Sequence, residues 1–269
     1  MRIVDVGTGP PIIVVPGIQG RWEWMKPGID ALARRCRVVT FSLADERSCG
    51  GRFDPHTGFD CYVDQVREAM DARGIVQAAV CGVSYGGSIA AAFAARYPER
   101  TTGLVLVSAI PPSWAPDARV RFYLRAPRLL SPIFCLASLR MYREIAAATP
   151  GFAAGVVAAV RHGWTAVTHL MSPSRMARRV ALLSQVDLRS ELATVDRPTL
   201  VVTGDEGLDR VVPVRMTREY LKLWPHAQSA TIARTGHLGM LTRPDEFTRI
   251  VAPFVEDTAR RVASRRRVG

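Results

Sequence analysis

Val80-Cys81-Gly82-Val83-Ser84-Tyr85-Gly86-Gly87 joins a short apolar run, Ala78 to Gly82, to a stretch of helical periodicity, Ser84 to Tyr97. The pattern Gly-x-Ser-x-Gly between a strand and a helix puts a serine on a tight turn, where side chains at 82 and 86 would collide with neighbouring backbone. Such a turn lifts the Ser84 hydroxyl above the end of a sheet. It also sets the first N–H groups of the following helix, and the positive end of its dipole, beside that hydroxyl. The plain alternative is a Gly/Ser turn of the kind that joins any strand to any helix.

The strand-then-helix unit recurs outward from this turn. Ile12 to Val15, Arg37 to Phe41, Gly103 to Ser108 and Thr199 to Gly204 are continuous apolar runs closed by turn residues, as in strands buried on both faces. Trp22 to Arg35, Tyr62 to Arg73 and Val214 to Leu223 have helical spacing; Gln228 to Ile232 adds a last strand. Pro244 to Ala263 adds a closing helix whose first turn is loaded with Asp245 and Glu246. This alternation predicts an α/β fold, a mostly parallel sheet flanked by helices. From Pro111 to Asp196 the alternation stops, and helical patterns punctuated by prolines predict a helical lid insertion. The expected division is a core in two parts, 1–110 and 197–263, a lid over 111–196, and a frayed basic tail over 264–269 that contains Arg265, Arg266 and Arg267.

With these residues the chain resembles the α/β-hydrolase family over nearly its whole length. The resemblance implies that Gly82 to Gly86 is the nucleophile elbow, that Ser84 is the nucleophile, and that relatives with an aspartate nucleophile, such as haloalkane dehalogenases and epoxide hydrolases, are disfavoured. A serine hydroxyl needs a base within hydrogen-bond reach. His237, in Thr235-Gly236-His237-Leu238 after the last predicted strand, resembles the family's histidine loop; His56, His162, His169 and His226 read as surface or packing histidines, although His162 or His169 could face substrate. The triad's acid must accept the other ring N–H. Asp209, four residues before Pro213, stands where the family usually has it. Asp205 and, less favoured, Glu206 remain alternatives, Asp205 reading otherwise as a turn carboxylate.

The resemblance further implies an oxyanion hole of two main-chain N–H donors, Tyr85 and Ile18, with Gln19 the alternative to Ile18. Many relatives carry His-Gly in that second loop. Here Val15-Pro16-Gly17-Ile18-Gln19-Gly20 has Pro16 instead of histidine, so the histidine's supporting hydrogen bonds are missing. Gln19, Trp22, Trp24 and Leu238 are the expected substrate contacts, core packing being the competing account of the tryptophans. Trp114, Phe122, Tyr123, Phe134, Tyr142, Phe152 and Trp164 of the lid read as packing residues for the most part, and Arg119, Arg121, Arg125 and Arg128 as a solvated basic face.

Composition agrees with a folded enzyme: 269 residues, 48% hydrophobic and 22% charged. The net charge of +12 comes from scattered residues, all arginine except Lys26 and Lys222, and predicts no nucleic-acid partner. Cys36, Cys49, Cys61, Cys81 and Cys135 are odd in number and lack CxxC spacing, so neither a disulfide framework nor a zinc site is expected. No secretory signal or spanning segment is read, which predicts a cytoplasmic protein without stable membrane insertion, monomeric or homodimeric. Neither a GxxxxGK[ST] loop nor HExxH is present, nor a dinucleotide fingerprint after the first strand, and no cofactor or metal is expected. The function expected is hydrolysis of a small acyl substrate, a carboxylic ester first, through an acyl-enzyme. The alternatives are a C–C bond hydrolase, a lactonase or an acyltransferase on the same fold, or a weakly catalytic small-ligand-binding protein.

Overall fold

The computed structural model describes residues 1–133 and 139–268, the side chains at 140, 152 and 265–268 excepted. Phe134 and Cys135, and the side chain of Phe152, therefore lie outside the described residues. Among the described residues seven strands pair in one sheet: β1 (Ile3–Val6), β2 (Pro11–Val15), β3 (Arg37–Phe41), β4 (Ala78–Val83), β5 (Thr101–Val107), β6 (Thr199–Thr203) and β7 (Gln228–Thr231). Their order is β1-β3-β2-β4-β5-β6-β7. Every pair is parallel except β1 with β3.

Side chains alternate across this sheet with the strand period of two. Ile13, Val15, Val39, Phe41, Val80, Leu104 and Leu106 pack with Tyr62, Val66, Ile89 and Phe93 of the helices Asp60–Ala72 and Tyr85–Arg96. Ile12, Val14, Val38, Cys81, Val105 and Val107 pack with Ile29, Leu32, Phe247 and Val251 of the helices Lys26–Leu32 and Pro244–Val268 on the other face. Both faces are therefore dry, which is why the strands read as continuous apolar runs. Each fully buried Val, Ile, Leu or Phe contributes about 1.5–3 kcal/mol.

Four details differ from the sequence reading. β1 is an additional strand, held antiparallel on β3 and pinned by a salt bridge of 2.8 Å from Arg37 to Asp5. The helix expected over Trp22–Arg35 begins as a 3-10 turn, Trp22–Met25, before Pro27 seeds the α-helix Lys26–Leu32. Val214–Leu223 is two short helices, Val214–Thr217 and Glu219–Leu223. The closing helix runs to Val268, so residues 264–268 continue it where a frayed tail was expected.

Between Pro111 and Asp196 the described regular structure is helical: Ala118–Arg125, Tyr142–Ala148, Gly151–Thr168, Pro173–Ser184 and Arg189–Leu192. Phe122 (51% exposed), Tyr142 (37%) and Trp164 (70%) face solvent while Trp114 and Tyr123 are half-buried, so among the described aromatics here fewer pack than the expectation that most of them do. Among the described residues no helix is long and apolar enough to cross a membrane.

The register levels the carboxyl ends of the strands. Val15 lies beside Gly82, Val83 beside Val107, Val107 beside Val202, and Thr203 beside Thr231. The loops that follow β2, β4, β6 and β7 consequently emerge over one edge. β3 and β4 flank β2, so strand order reverses there, the kind of crevice where open α/β sheets bind ligands.

Candidate active site

Ser84 closes β4 with φ 54° and ψ −116°, a conformation that costs a non-glycine residue about 1–3 kcal/mol. Neighbours over-determine it. Its N–H donates to the Val107 carbonyl at 2.9 Å, and its own carbonyl accepts from the Gly87 N–H at 2.9 Å. The glycines are there for space: a Cβ at 82 would lie 2.2 Å from the Gly86 oxygen, and one at 86 would lie 2.4 Å from the Val15 oxygen. The Tyr85 N–H opens the helix that follows and so belongs to the donors a helix leaves unused.

The loop after β2 lies against this turn, since the place of a Cβ on Gly17 is 3.4 Å from the Ser84 Cβ. A hydrogen bond of 2.9 Å from the Gly20 N–H to the Gly17 carbonyl closes it, with Ile18 and Gln19 at its centre. Its outer side is gripped by Arg179, a fully buried residue of the helix Pro173–Ser184 that the sequence reading missed. Nη1 of Arg179 donates to the Ile18 carbonyl at 2.7 Å, while Nη2 reaches Asp45 Oδ1 at 2.5 Å and Glu46 Oε1 at 2.7 Å. Burial alone would lower the pKa of this guanidinium; the two carboxylates reverse the effect and hold it charged. Pro16 cannot brace the loop as a histidine would, and a guanidinium braces it instead.

Asp209, on the loop after β6, is 4% exposed. Its Oδ1 accepts the N–H groups of Val211 (3.0 Å) and Val212 (2.9 Å), and its Oδ2 lies 3.2 Å from Nδ1 of His237. Burial pushes the Asp209 pKa up, but the His237 imidazole and the two N–H groups outweigh it and hold the carboxyl below its ordinary range. Asp205, the alternative acid, is engaged elsewhere: its Oδ2 accepts the Arg234 N–H at 2.7 Å. Glu206 is exposed. The structure thus brings Asp209 to His237, and Nε2 is the ring nitrogen turned away from Asp209.

His237 is half-buried on the turn Thr235 to Leu238, where a second unforeseen residue acts. Glu144, 2% exposed on the helix Tyr142–Ala148, accepts the Thr235 hydroxyl at 2.8 Å and the Leu238 N–H through the same oxygen. Of the remaining histidines, His56 and His226 are exposed. His162 meets Trp24 edge-on at 5.4 Å, and the His169 carbonyl accepts the Trp24 indole N–H at 3.1 Å. Trp24 is therefore buried beneath the helical segment. Gln19, Trp22 and Leu238 are half-buried, and Arg119, Arg121, Arg125 and Arg128 are exposed.

A strained serine, a carboxylate-oriented imidazole and a main-chain turn converging on one sheet edge is an arrangement suited to acyl transfer. The family model described as the alpha/beta hydrolase family matches residues 12–250. The chain belongs to that family. This α/β hydrolase is 27% identical over 259 residues to the pimeloyl-(acyl-carrier protein) methyl ester esterase of Aeromonas hydrophila, covering 93% of this chain and 96% of the relative. It is 25% identical over 259 residues to the 2-hydroxy-6-oxo-2,4-heptadienoate hydrolase of Pseudomonas putida, covering 93% and 91%. The enol-lactonase of Burkholderia xenovorans shares its fold with a TM-score of 0.73 at 19% identity, over 94% of this chain and 95% of that one. The protein is a hydrolytic enzyme.

Among the described residues, two of the cavities that open on the hydrolase surface stand near the helical segment. One, about 610 Å³, is lined by Glu46, Arg47, Phe53, Arg178 and Leu182 among others; the other, about 400 Å³, lies between Tyr142, Ile145, Val156 and Ala159. Neither has Ser84, Asp209 or His237 in its wall, and Ser84 is only 5% exposed.

Proposed function

We propose that this protein is a serine hydrolase that cleaves a small carboxylic ester through Ser84, His237 and Asp209. The observation that carries the reading is the contact of 3.2 Å from His237 Nδ1 to buried Asp209, in loops that share a sheet edge with a serine held at positive φ. Asp209 fixes the tautomer, so Nε2 of His237 takes the proton as Ser84 Oγ attacks the carbonyl carbon. The Tyr85 and Ile18 N–H groups receive the oxyanion. The alcohol leaves with the proton from His237, and water, activated by the same nitrogen, then releases the acid and restores the serine hydroxyl.

Residues 111–196 act as a lid in this reading, because the nucleophile is nearly closed to solvent and substrate must pass the helical segment to reach it. The reading places the protein in a reducing, cytoplasmic setting, where five cysteines without CxxC spacing stay as thiols. Incubation with a fluorophosphonate probe tests the nucleophile. Wild-type protein is expected to label one to one and Ser84→Ala not at all, with unchanged circular dichroism; labelling that persists in the variant places the nucleophile elsewhere.

A second reading keeps the triad and changes the bond. The likeness to the 2-hydroxy-6-oxo-2,4-heptadienoate hydrolase, at about the same identity as to the methyl ester esterase, favours a C–C bond next to a carbonyl as the alternative substrate. Turnover of a vinylogous diketone acid without turnover of chromogenic esters would select it.

A further inference from the structure

We infer that Glu144 is a positioning residue for His237, a second carboxylate that holds the histidine turn in place and sets its charge beside the imidazole. The inference rests on the reading of His237 as the base. One Glu144 oxygen takes the Thr235 hydroxyl and the Leu238 N–H, and so fastens the residues two before and one after the histidine. With the Thr235 proton given to Glu144, the single proton of the Thr242 hydroxyl goes either to Thr235 Oγ1 at 2.8 Å or to the Leu238 carbonyl at 3.0 Å, and either bond ties Thr242 to an end of the turn. Every one of these contacts to Glu144 comes from a donor, the surroundings that suit an ionised carboxylate. Burial opposes that ionised form and leaves the Glu144 pKa above its ordinary range, although Thr235, the Leu238 and Gly236 N–H groups and His237 offset part of the rise.

The geometry has a mechanistic consequence. Asp209 grips the imidazole itself, whereas Glu144 grips the backbone that carries it, from a helix some ninety residues earlier in the chain. Glu144 belongs to the helical segment over the site, so its hold on the turn lasts only while the helix Tyr142–Ala148 is seated. The base is fully assembled with that helix in place and loosened when it lifts.

Asp209 and Glu144 are the acidic groups that face His237. Of the other charged groups on the elements around it, Asp205 caps the Arg234 N–H, Arg21 pairs with Glu23 at 2.9 Å, Arg143, Arg210 and Arg234 are exposed, and Arg243 is half-buried at the end of the helix Gly239–Thr242, a cation that both Glu144 variants leave in place. A negative neighbour raises the pKa of an imidazole, so removing one lowers it. The acid limb of kcat/KM reports deprotonation of the base in free enzyme. With a chromogenic ester, Glu144→Gln keeps the accepting oxygen and loses the charge: its acid limb is expected to move down by roughly half a unit to one unit, with the plateau within about threefold. Glu144→Asp keeps the charge and loses the reach: kcat is expected to fall roughly 10-fold or more at nearly unchanged KM, with the limb close to wild type.

A Glu144→Gln limb that coincides with wild type overturns the charge effect, and a folded Glu144→Asp with full kcat overturns the anchoring. Should the Gln variant not fold, the Asp variant still decides, because a merely structural residue would lower thermal stability without separating kcat from KM. Failure of the triad reading is seen separately, as turnover that survives Ser84→Ala.

Discussion

Main-chain groups hold the candidate residues on the sheet side of the site, and buried charges hold them on the side of the helical segment. Ser84 is fixed by the Val107 carbonyl and the Gly87 N–H, and Asp209 by the N–H groups of Val211 and Val212. From above, Arg179 fixes the Ile18 carbonyl and Glu144 fixes the turn of His237. The difference follows from connectivity. Loops at the ends of paired strands inherit their positions from the ladder, while a helix laid across those loops has no ladder to share and must reach with side chains. Charged side chains serve only if their own ends are satisfied, as Arg179 is by Asp45 and Glu46.

The largest test of this contrast lies on the sheet side. Asp209→Asn preserves size and the N–H contacts at Oδ1 but presents the wrong group to Nδ1, and turnover should fall by about 10⁴-fold. Asp205→Asn, whose carboxylate caps Arg234, should cost less than about 2-fold; a crippled Asp205 variant beside an active Asp209 variant would reverse the assignment of the acid. Acid stability adds a second measurement. The Asp209 pKa is held below its ordinary 3.8, so this group contributes stability above that pH and loses it as pH falls through the lower, folded value. Urea titrations between pH 5 and 2 should show that component in wild type and not in the Asn variant.

How far the site was legible in the sequence follows the same division. Gly82, Ser84 and Gly86 announce themselves because a strand-to-helix turn admits few residue types, and the order serine, acid, histidine along the chain points to Asp209 and His237. Ile3–Val6 did not read as a strand: Ile-Val-Asp-Val is short, interrupted by Asp5 and followed by Gly7 and Gly9, and only pairing with β3, more than thirty residues away, makes it one. Glu144 and Arg179 were hidden for a related reason, since their partners are remote in sequence. A local signal was nevertheless present. Met176, Arg179, Val180 and Leu183 fall on one helical face, and so do Met141, Glu144, Ile145 and Ala148. In both stripes a single charge sits among apolar residues, the mark of a charge that is buried and therefore partnered.

On the side of the helical segment, Arg179→Ala strips the guanidinium from two buried carboxylates and should cost about 3–5 kcal/mol in urea unfolding, the range for breaking a buried ion pair. Arg175, 2.9 Å from Glu46, still partners one of them, which places the expected value toward the lower end. In the same variant the Ile18 carbonyl loses its anchor, so kcat should fall in the fraction that remains folded while KM holds. A loss of stability with unchanged kcat would mean that the turn at Gly17 to Gly20 keeps its shape unaided and that the oxyanion side, like the elbow, is set by main chain alone.

The smallest expected effect isolates a neutral contact across the same boundary. Trp24→Phe keeps most of the buried ring and its edge-on approach to His162 but removes the indole N–H that donates to the His169 carbonyl, a change worth about 1 kcal/mol. Neither the histidine turn nor the oxyanion loop is held by this bond, so the ester pH profile should stay where it is in wild type while hydrogen exchange in the helix Gly151–Thr168 quickens. If the profile moved as far as in Glu144→Gln, seating of the segment as a whole would govern the base, and the particular charge at 144 would not. If exchange were unchanged, this bond would add nothing to the seating of the segment, which charged contacts such as those of Arg175, Arg179 and Glu144 would then carry, the sharpest form that the contrast between main-chain and charged anchors can take.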